Sequence, residues 1–261
     1  MDRLDQGAAL LAAARLEGHL LASLPDDCRP ADIAEGYALQ FRLQERLAGT
    51  LGPVAGWKIG CTTPVMQAYL GIDRPSAGGV YRSTILASPA SLPHAAFRGP
   101  GVECEVAFRL GSDLPPLGAP YTADRVAGAV AAAFAAIEVV DARYADFRSL
   151  GAPTLIADDF FNAGLVLGSD VTDWRRLDLA AAEGVTLVDG REVGRGRGRD
   201  VMGHPLNALA WLADHLAATG RPLRAGMVVT TGSIVAVHWV AAPATVTVRI
   251  GDLGEASLRF A

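Results

Sequence analysis

The chain has 261 residues, 51% of them hydrophobic, and a formal net charge of -5. This is enough apolar mass for one full core with an appendage, and the acidic balance lacks the electrostatic footprint of a nucleic-acid-binding protein. No apolar run approaches the roughly 20 residues needed to cross a bilayer, and the widely spaced Cys28, Cys61 and Cys104, with no Cys-x-x-Cys, argue against a disulfide framework or a thiolate zinc site.

The first fifty residues read as helical. Leucines and alanines recur at helical spacing from Leu4 to Leu24, and a second helix starts at Ala31 to Glu35, where Asp32 and Glu35 stand as in a capping box. Asp2, Arg3 and Asp5 at the start, with Arg15 and Glu17 cutting the apolar stretch Ala8 to Ala14, lack the layout of a signal peptide; the three cysteines, odd in number and widely spaced, make a reducing cytoplasm the expected compartment. From Val54 the texture changes to short apolar runs between Gly, Pro and Asp: Trp57 to Ile59, Glu105 to Leu110, Ile137 to Ala142, Leu165 to Leu167 and Val185 to Val188. The break divides a helical N-terminal region, residues 1–53, from a β-rich body, residues 54–261, expected to carry the catalysis.

Within the body, Thr122 caps a predicted helix through the alanine-rich stretch to Ala136, and Pro205 starts another that ends before Gly220. Asp189-Gly190 and Gly251-Asp252 read as hairpin turns. Helices first, then strands with few crossovers, points to an α+β fold rather than a doubly wound sheet. Arg195, Arg197 and Arg199, alternating with glycines, read as a solvated turn.

Four side chains are hard to reconcile with their surroundings. Glu103 and Glu105 stand one residue apart in a strand-like run, so both project to one face about 7 Å apart, while Cys104, Val106, Phe108 and Leu110 bury the other. Glu138 has only apolar neighbours in Ala135 to Val140, and an unpaired buried glutamate is costly. Three hard oxygen donors on adjacent strands suit Mg²⁺ or Mn²⁺. Pairing of Glu138 with Arg143 or Arg109, and an exposed edge for the other two, is the competing reading. Lys58, between Trp57 and Ile59, is a charge partner or proton carrier if it lies near carboxylates, and an edge lysine reaching water if it does not.

Asp158-Asp159-Phe160-Phe161-Asn162 reads by itself as a turn with a helical cap, and Thr230-Thr231-Gly232-Ser233 offers hydroxyls and backbone N–H groups that could hold a carboxylate. No two of the five histidines stand at ligand spacing, and no serine-hydrolase elbow, phosphate loop or dinucleotide fingerprint follows a strand.

Taken in order, Gly56 to Gly60, Leu70 to Pro75, Val102 to Phe108, Ala136 to Asp141 and Ile156 to Asp158 resemble the 2-keto-4-pentenoate hydratase and 4-oxalocrotonate decarboxylase family of the fumarylacetoacetate hydrolase superfamily. The resemblance implies a mixed β-roll core of the superfamily's C-terminal-domain type behind a helical N-terminal region. It implies a Mg²⁺ or Mn²⁺ ion on Glu103, Glu105 and Glu138, Lys58 as catalytic residue, and substrate binding by Asp158, Thr231 and Ser233. The activity it implies is that of a lyase in aromatic-compound degradation, hydrating a 2-hydroxy-2,4-dienoate or 2-oxo-3-enoate or decarboxylating an oxalocrotonate-like acid. A homo-oligomer, alone or with a partner enzyme of the same pathway, is the expected assembly. Departures from the family pattern lie at Ser76-Ala77-Gly78, where an acidic residue commonly follows the proline, at Asp159-Phe160-Phe161, and at Ile234 to Trp239. They leave two alternatives open: an acylpyruvate C–C hydrolase, for which Glu17 and His19 are poorly placed, and a non-catalytic partner subunit.

Overall fold

A computed structural model describes residues 2–261. Helices α1 (Arg3–Glu17) and α2 (Ile33–Leu51) come first. Asp2 caps α1 by accepting the Asp5 N–H, and Gly18, in the left-handed region at φ 69°, ends it. The predicted first helix therefore stops short of Leu24, because a glycine C-cap terminates the ladder before the apolar spacing runs out. Asp32 accepts the Glu35 N–H and Glu35 accepts the Ala31 N–H, fixing the start of α2.

The body follows with β1 (Val54–Gly60), α3 (Pro64–Leu70), β2 (Ser76–Tyr81), β3 (Ile85–Ala87), β4 (Ala90–Leu92), β5 (Pro100–Leu110), α4 (Ala123–Ala129) and β6 (Val130–Asp141). It continues with α5 (Ala152–Ala157), β7 (Asn162–Leu167), β8 (Glu183–Val188), β9 (Arg191–Arg197), α6 (Pro205–Ala218), β10 (Val228–Ser233), β11 (His238–Trp239), β12 (Ala244–Ile250) and β13 (Glu255–Phe260). The architecture is α+β, with two mixed sheets.

One sheet runs β2-β1-β10-β5-β6-β7-β3, with β11 added to the start of β5; the other runs β4-β13-β12-β8-β9. The larger sheet curls until β2 meets β7. On its inner face Val80, Ala107, Ala132, Phe134, Ala136, Leu165, Leu167 and Val228 form a small apolar cluster. The outer face shares the main core with both N-terminal helices, through Leu11, Leu39, Leu43 and Leu47. The hairpin between β8 and β9 turns at Asp189 and Gly190, both at positive φ, as a two-residue primed turn requires.

The alanine-rich stretch corrects the sequence expectation. The helix that Thr122 caps lasts only to Ala129, and Val130 to Asp141 form a twelve-residue strand. This strand pairs with β5 on one side and β7 on the other, and all of it except Ala131 is buried. Alanine's helix preference, a few tenths of a kcal/mol per residue, is outweighed by two hydrogen-bonded ladders in which only small side chains fit between packed faces.

Candidate active site at the glutamate cluster

Strand alternation places Glu103 and Glu105 on one face of β5, and the β5–β6 register sets Glu103 directly opposite Glu138. Each of the three offers a carboxylate oxygen, and these oxygens lie within 4.8 Å of one another. They sit on the inner face of the curled sheet, beside the small apolar cluster. Glu105 and Glu138 are buried and Glu103 is half-buried. β5 lies between β10 and β6, so these are not acids on an exposed edge.

Lys58 lies on β1, between β2 and β10, and is buried. Its Nζ stands 3.2 Å from Glu138 Oε1. Of the arginines that could have neutralised Glu138, Arg143 pairs with Asp158 and Arg109 with Asp170. Burial by itself would lower the Lys58 pKa, but Glu138, Glu103 and Glu105 outweigh it and raise the pKa, keeping the ammonium charged. Lys58 is the one lysine among 23 basic residues. The sequence supplies cationic surface with arginine and keeps lysine at the single position where a compact ammonium with transferable protons is held among carboxylates.

Few donors serve the acids. The Gly232 N–H donates to Glu105 Oε2 at 2.7 Å, and Asn162 Nδ2 donates to Glu138 Oε1 at 3.0 Å. Gly232 has φ 114°, and a Cβ there would meet the Thr62 side chain at 2.6 Å, so this contact requires glycine. Glu138 Oε2, Asn162 Oδ1 and Thr230 Oγ1 are buried without a hydrogen-bond partner. Burial, and then the Glu138 charge, push the Glu103 carboxyl up to about 7; burial, Glu138 and Glu103 push Glu105 well above the carboxylate range. Like charges crowded together, with polar atoms left unpaired, fit a hard divalent cation with oxygen ligands. Among the described residues this is the one group of three or more His, Cys, Asp or Glu side chains able to hold a metal ion.

The remaining predicted residues divide. Ser233 stands opposite Glu105, on the glutamate face, and its hydroxyl donates to the Val235 carbonyl. Thr231 is buried with its hydroxyl donated to the Val106 carbonyl at 2.9 Å, while its neighbour Thr230, opposite Lys58, has the unpartnered hydroxyl. A register shift between Thr230 and Ser233 sets which residue faces the site, and composition does not reveal it. Asp158 is held by Arg143 Nε at 3.0 Å, and Arg143 also bonds the Asp158, Phe161 and Asn162 carbonyls. Its carboxylate thus shapes the turn before β7. His19 and Glu17 are exposed, 3.6 Å apart, near the end of α1. Thr230, Asn162 and Ser76 carry no assigned site role in the sequence yet face this site; the last lies opposite Gly60, with its Oγ beside the space between Gly60 and the Lys58 Nζ.

A family model described as fumarylacetoacetate (FAA) hydrolase C-terminal matches residues 73–261. A 2-keto-4-pentenoate hydratase of Burkholderia vietnamiensis is 38% identical over 254 residues, 97% of this chain and 95% of the relative. A 2-hydroxyhexa-2,4-dienoate hydratase of Comamonas testosteroni is 32% identical, covering 98% of this chain and 96% of the relative. Among solved structures, 4-oxalocrotonate decarboxylase from Pseudomonas putida G7, complexed with magnesium and adipate, superposes with a TM-score of 0.91 at 26% identity, over 99% of this chain and 97% of that one.

Proposed function

The chain belongs to the 2-keto-4-pentenoate hydratase family of the fumarylacetoacetate hydrolase superfamily and is a lyase; from this premise we propose that it adds water to a 2-hydroxy-2,4-dienoate or 2-oxo-3-enoate, giving a 4-hydroxy-2-oxo acid. The observation that carries the reading is the trio of buried and half-buried carboxylates, short of donors, with a lone lysine on one of them.

In this reading Glu103, Glu105 and Glu138 hold Mg²⁺ or Mn²⁺, and the ion supplies Lewis-acid stabilisation of the charge that develops on the substrate's carboxylate and 2-oxygen. Lys58 holds a proton at Nζ and, because surrounding carboxylates keep it charged, acts as hydrogen-bond donor and acid rather than as base. Asn162 orients Glu138, Thr230 Oγ1 is an unpartnered hydroxyl for substrate or an attacking water, and Ser76 Oγ, which donates to Cys61 Sγ, can accept a hydrogen bond there. The Phe160 ring, 5.5 Å from Lys58 Nζ, shields the ammonium from solvent.

A panel of dienoate, oxalocrotonate and acylpyruvate substrates, followed by ultraviolet absorbance and mass with and without Mg²⁺ or Mn²⁺, tests this. Hydration gains the mass of one water. Decarboxylation, the second reading, is favoured by the superposition on the decarboxylase and loses carbon dioxide. Release of pyruvate from acylpyruvates would overturn both. A homo-oligomer in a reducing compartment is supported by the exposed Leu10, Leu16 and Leu20 and by three free, buried cysteines, and sedimentation of the purified chain tests the assembly. Among the described residues no helix is long and apolar enough to cross a membrane.

A further inference from the structure

Resting on the lyase reading, we propose that the site takes a 2-oxo or 2-hydroxydienoic acid with an apolar tail of about the size of an aromatic ring, packed on a wall of Phe160, Phe161, Phe147 and Trp239, with Trp239 setting the specificity. The wall starts at the catalytic end. A Cβ on Gly60 would touch both Lys58 Nζ, at 3.6 Å, and Phe160 Cδ1, at 3.9 Å, so the ammonium and the first ring meet over a glycine. Ring centroids then follow at 6.3 Å from Phe160 to Phe161, 5.4 Å to Phe147 and 5.7 Å to Trp239.

The far end returns to the glutamates. Trp239 pairs with Gly101 on β5, two residues before Glu103, and paired residues of an antiparallel ladder share a face. A Cβ on Gly101 would lie 2.9 Å from the Trp239 ring, so the indole lies down against β5 where a side chain is absent. Trp239 is 37% exposed, whereas Phe160 and Phe161 are buried, so the wall runs from a buried end at Lys58 to a solvent-exposed end at the indole.

The backbone supports the same reading. Asp159, Phe160 and Phe161 have φ of 49°, 49° and 67°, three successive residues in the left-handed region. For residues with a Cβ each such position is costly, and it persists only where the surroundings over-determine it. Here the Asp159 carboxylate accepts from Gln44, Gly79, Tyr81 and Arg15, and Asp158 is locked by Arg143. This anchoring directs Phe160 toward Lys58 and Phe161 toward Phe147.

The wall's charges point away from a second carboxylate. Arg143 is already committed to Asp158 and to backbone carbonyls. Arg148 lies over the Phe147 ring at 5.1 Å and is the cation on the wall that could take a distal carboxylate, which makes a dicarboxylic substrate the rival outcome.

The test reads affinity separately from chemistry. Turnover of tail-less 2-hydroxypenta-2,4-dienoate by the Mg²⁺-loaded enzyme tests the lyase reading alone. The tail is read by calorimetric titration of the Mg²⁺-loaded protein with the unreactive acids 2-oxopentanoate, 2-oxo-5-phenylpentanoate and 2-oxoadipate. The phenyl acid is expected to bind about tenfold or more tighter than the other two, from the apolar area it buries and its contact with the indole. Trp239→Ala is expected to collapse that ratio to about threefold or less, and Trp239→Phe to restore most of it. Tightest binding by 2-oxoadipate, lost in Arg148→Gln, would overturn the proposal in favour of a dicarboxylate. Equal affinities, or a phenyl preference that survives Trp239→Ala, would overturn it outright.

Discussion

Two buried acidic groups lie close together in this fold, and their surroundings are opposite. Asp159 is fully buried, and its two oxygens receive four donors, from Gln44, Gly79, Tyr81 and Arg15, while neighbouring Asp158 receives Arg143. Glu103, Glu105 and Glu138 share one lysine, one amide and one backbone N–H, and Glu138 Oε2 has no partner. A buried carboxylate saturated with donors is part of the scaffold; a cluster left short of them has room for a ligand of opposite charge.

The contrast predicts opposite responses to mutation. Asp159→Ala strands a buried arginine, an amide, a hydroxyl and an N–H, and should cost roughly 3–5 kcal/mol of stability, read from the denaturant midpoint. Glu138→Gln should leave the fold intact and lower metal-dependent turnover by about 10²–10³-fold, some 3–4 kcal/mol of transition-state stabilisation. Glu103→Gln should lower turnover too, yet raise the stability of the metal-free protein by about 1–2 kcal/mol, because it removes a carboxyl whose ionisation burial and the Glu138 charge already oppose. A loss of stability in that variant would place the glutamates with the aspartates as scaffold.

The last effect is on pH dependence. A carboxyl whose pKa is raised in the folded state binds its proton more tightly there than in the unfolded chain. Metal-free stability should therefore fall as pH rises from the ordinary 4.5 toward the Glu103 value of about 7. The melting temperature should drop by several degrees over that window, and saturating Mg²⁺ should remove the drop. A melting temperature that rises over the same range would contradict it.

The same contrast explains what could be read from the chain. Lys58, Glu103, Glu105 and Glu138 stood out because each was a charge set among apolar neighbours, a conflict visible locally. Asp158 did not reveal its role, because the group that satisfies it, Arg143, and those that satisfy Asp159, Arg15, Gln44 and Tyr81, arrive from distant segments. Which of Thr230 and Thr231 shares the glutamate face with Ser233 is not legible, because a register shift in β10, invisible in composition, breaks the alternation between them. The strand β6 was misread as helix through Ala136 because alanine's local preference says nothing of the two strands that flank it. The N-terminal cap of α2 and the Asp189-Gly190 turn were legible because their chemistry is complete within a few residues.

The most direct test is calorimetric titration of Mn²⁺ into the metal-stripped protein near pH 7, in two buffers of different ionisation enthalpy, for the native chain and for Glu138→Gln. The native chain should bind one Mn²⁺ per chain with proton release, since Glu103, poised at about 7, and Glu105, raised well above the carboxylate range, must give up their protons to become ligands, and Glu138→Gln should lose that binding. No saturable binding by the native chain, or undiminished binding by Glu138→Gln, would contradict the assignment of this cluster as the metal centre.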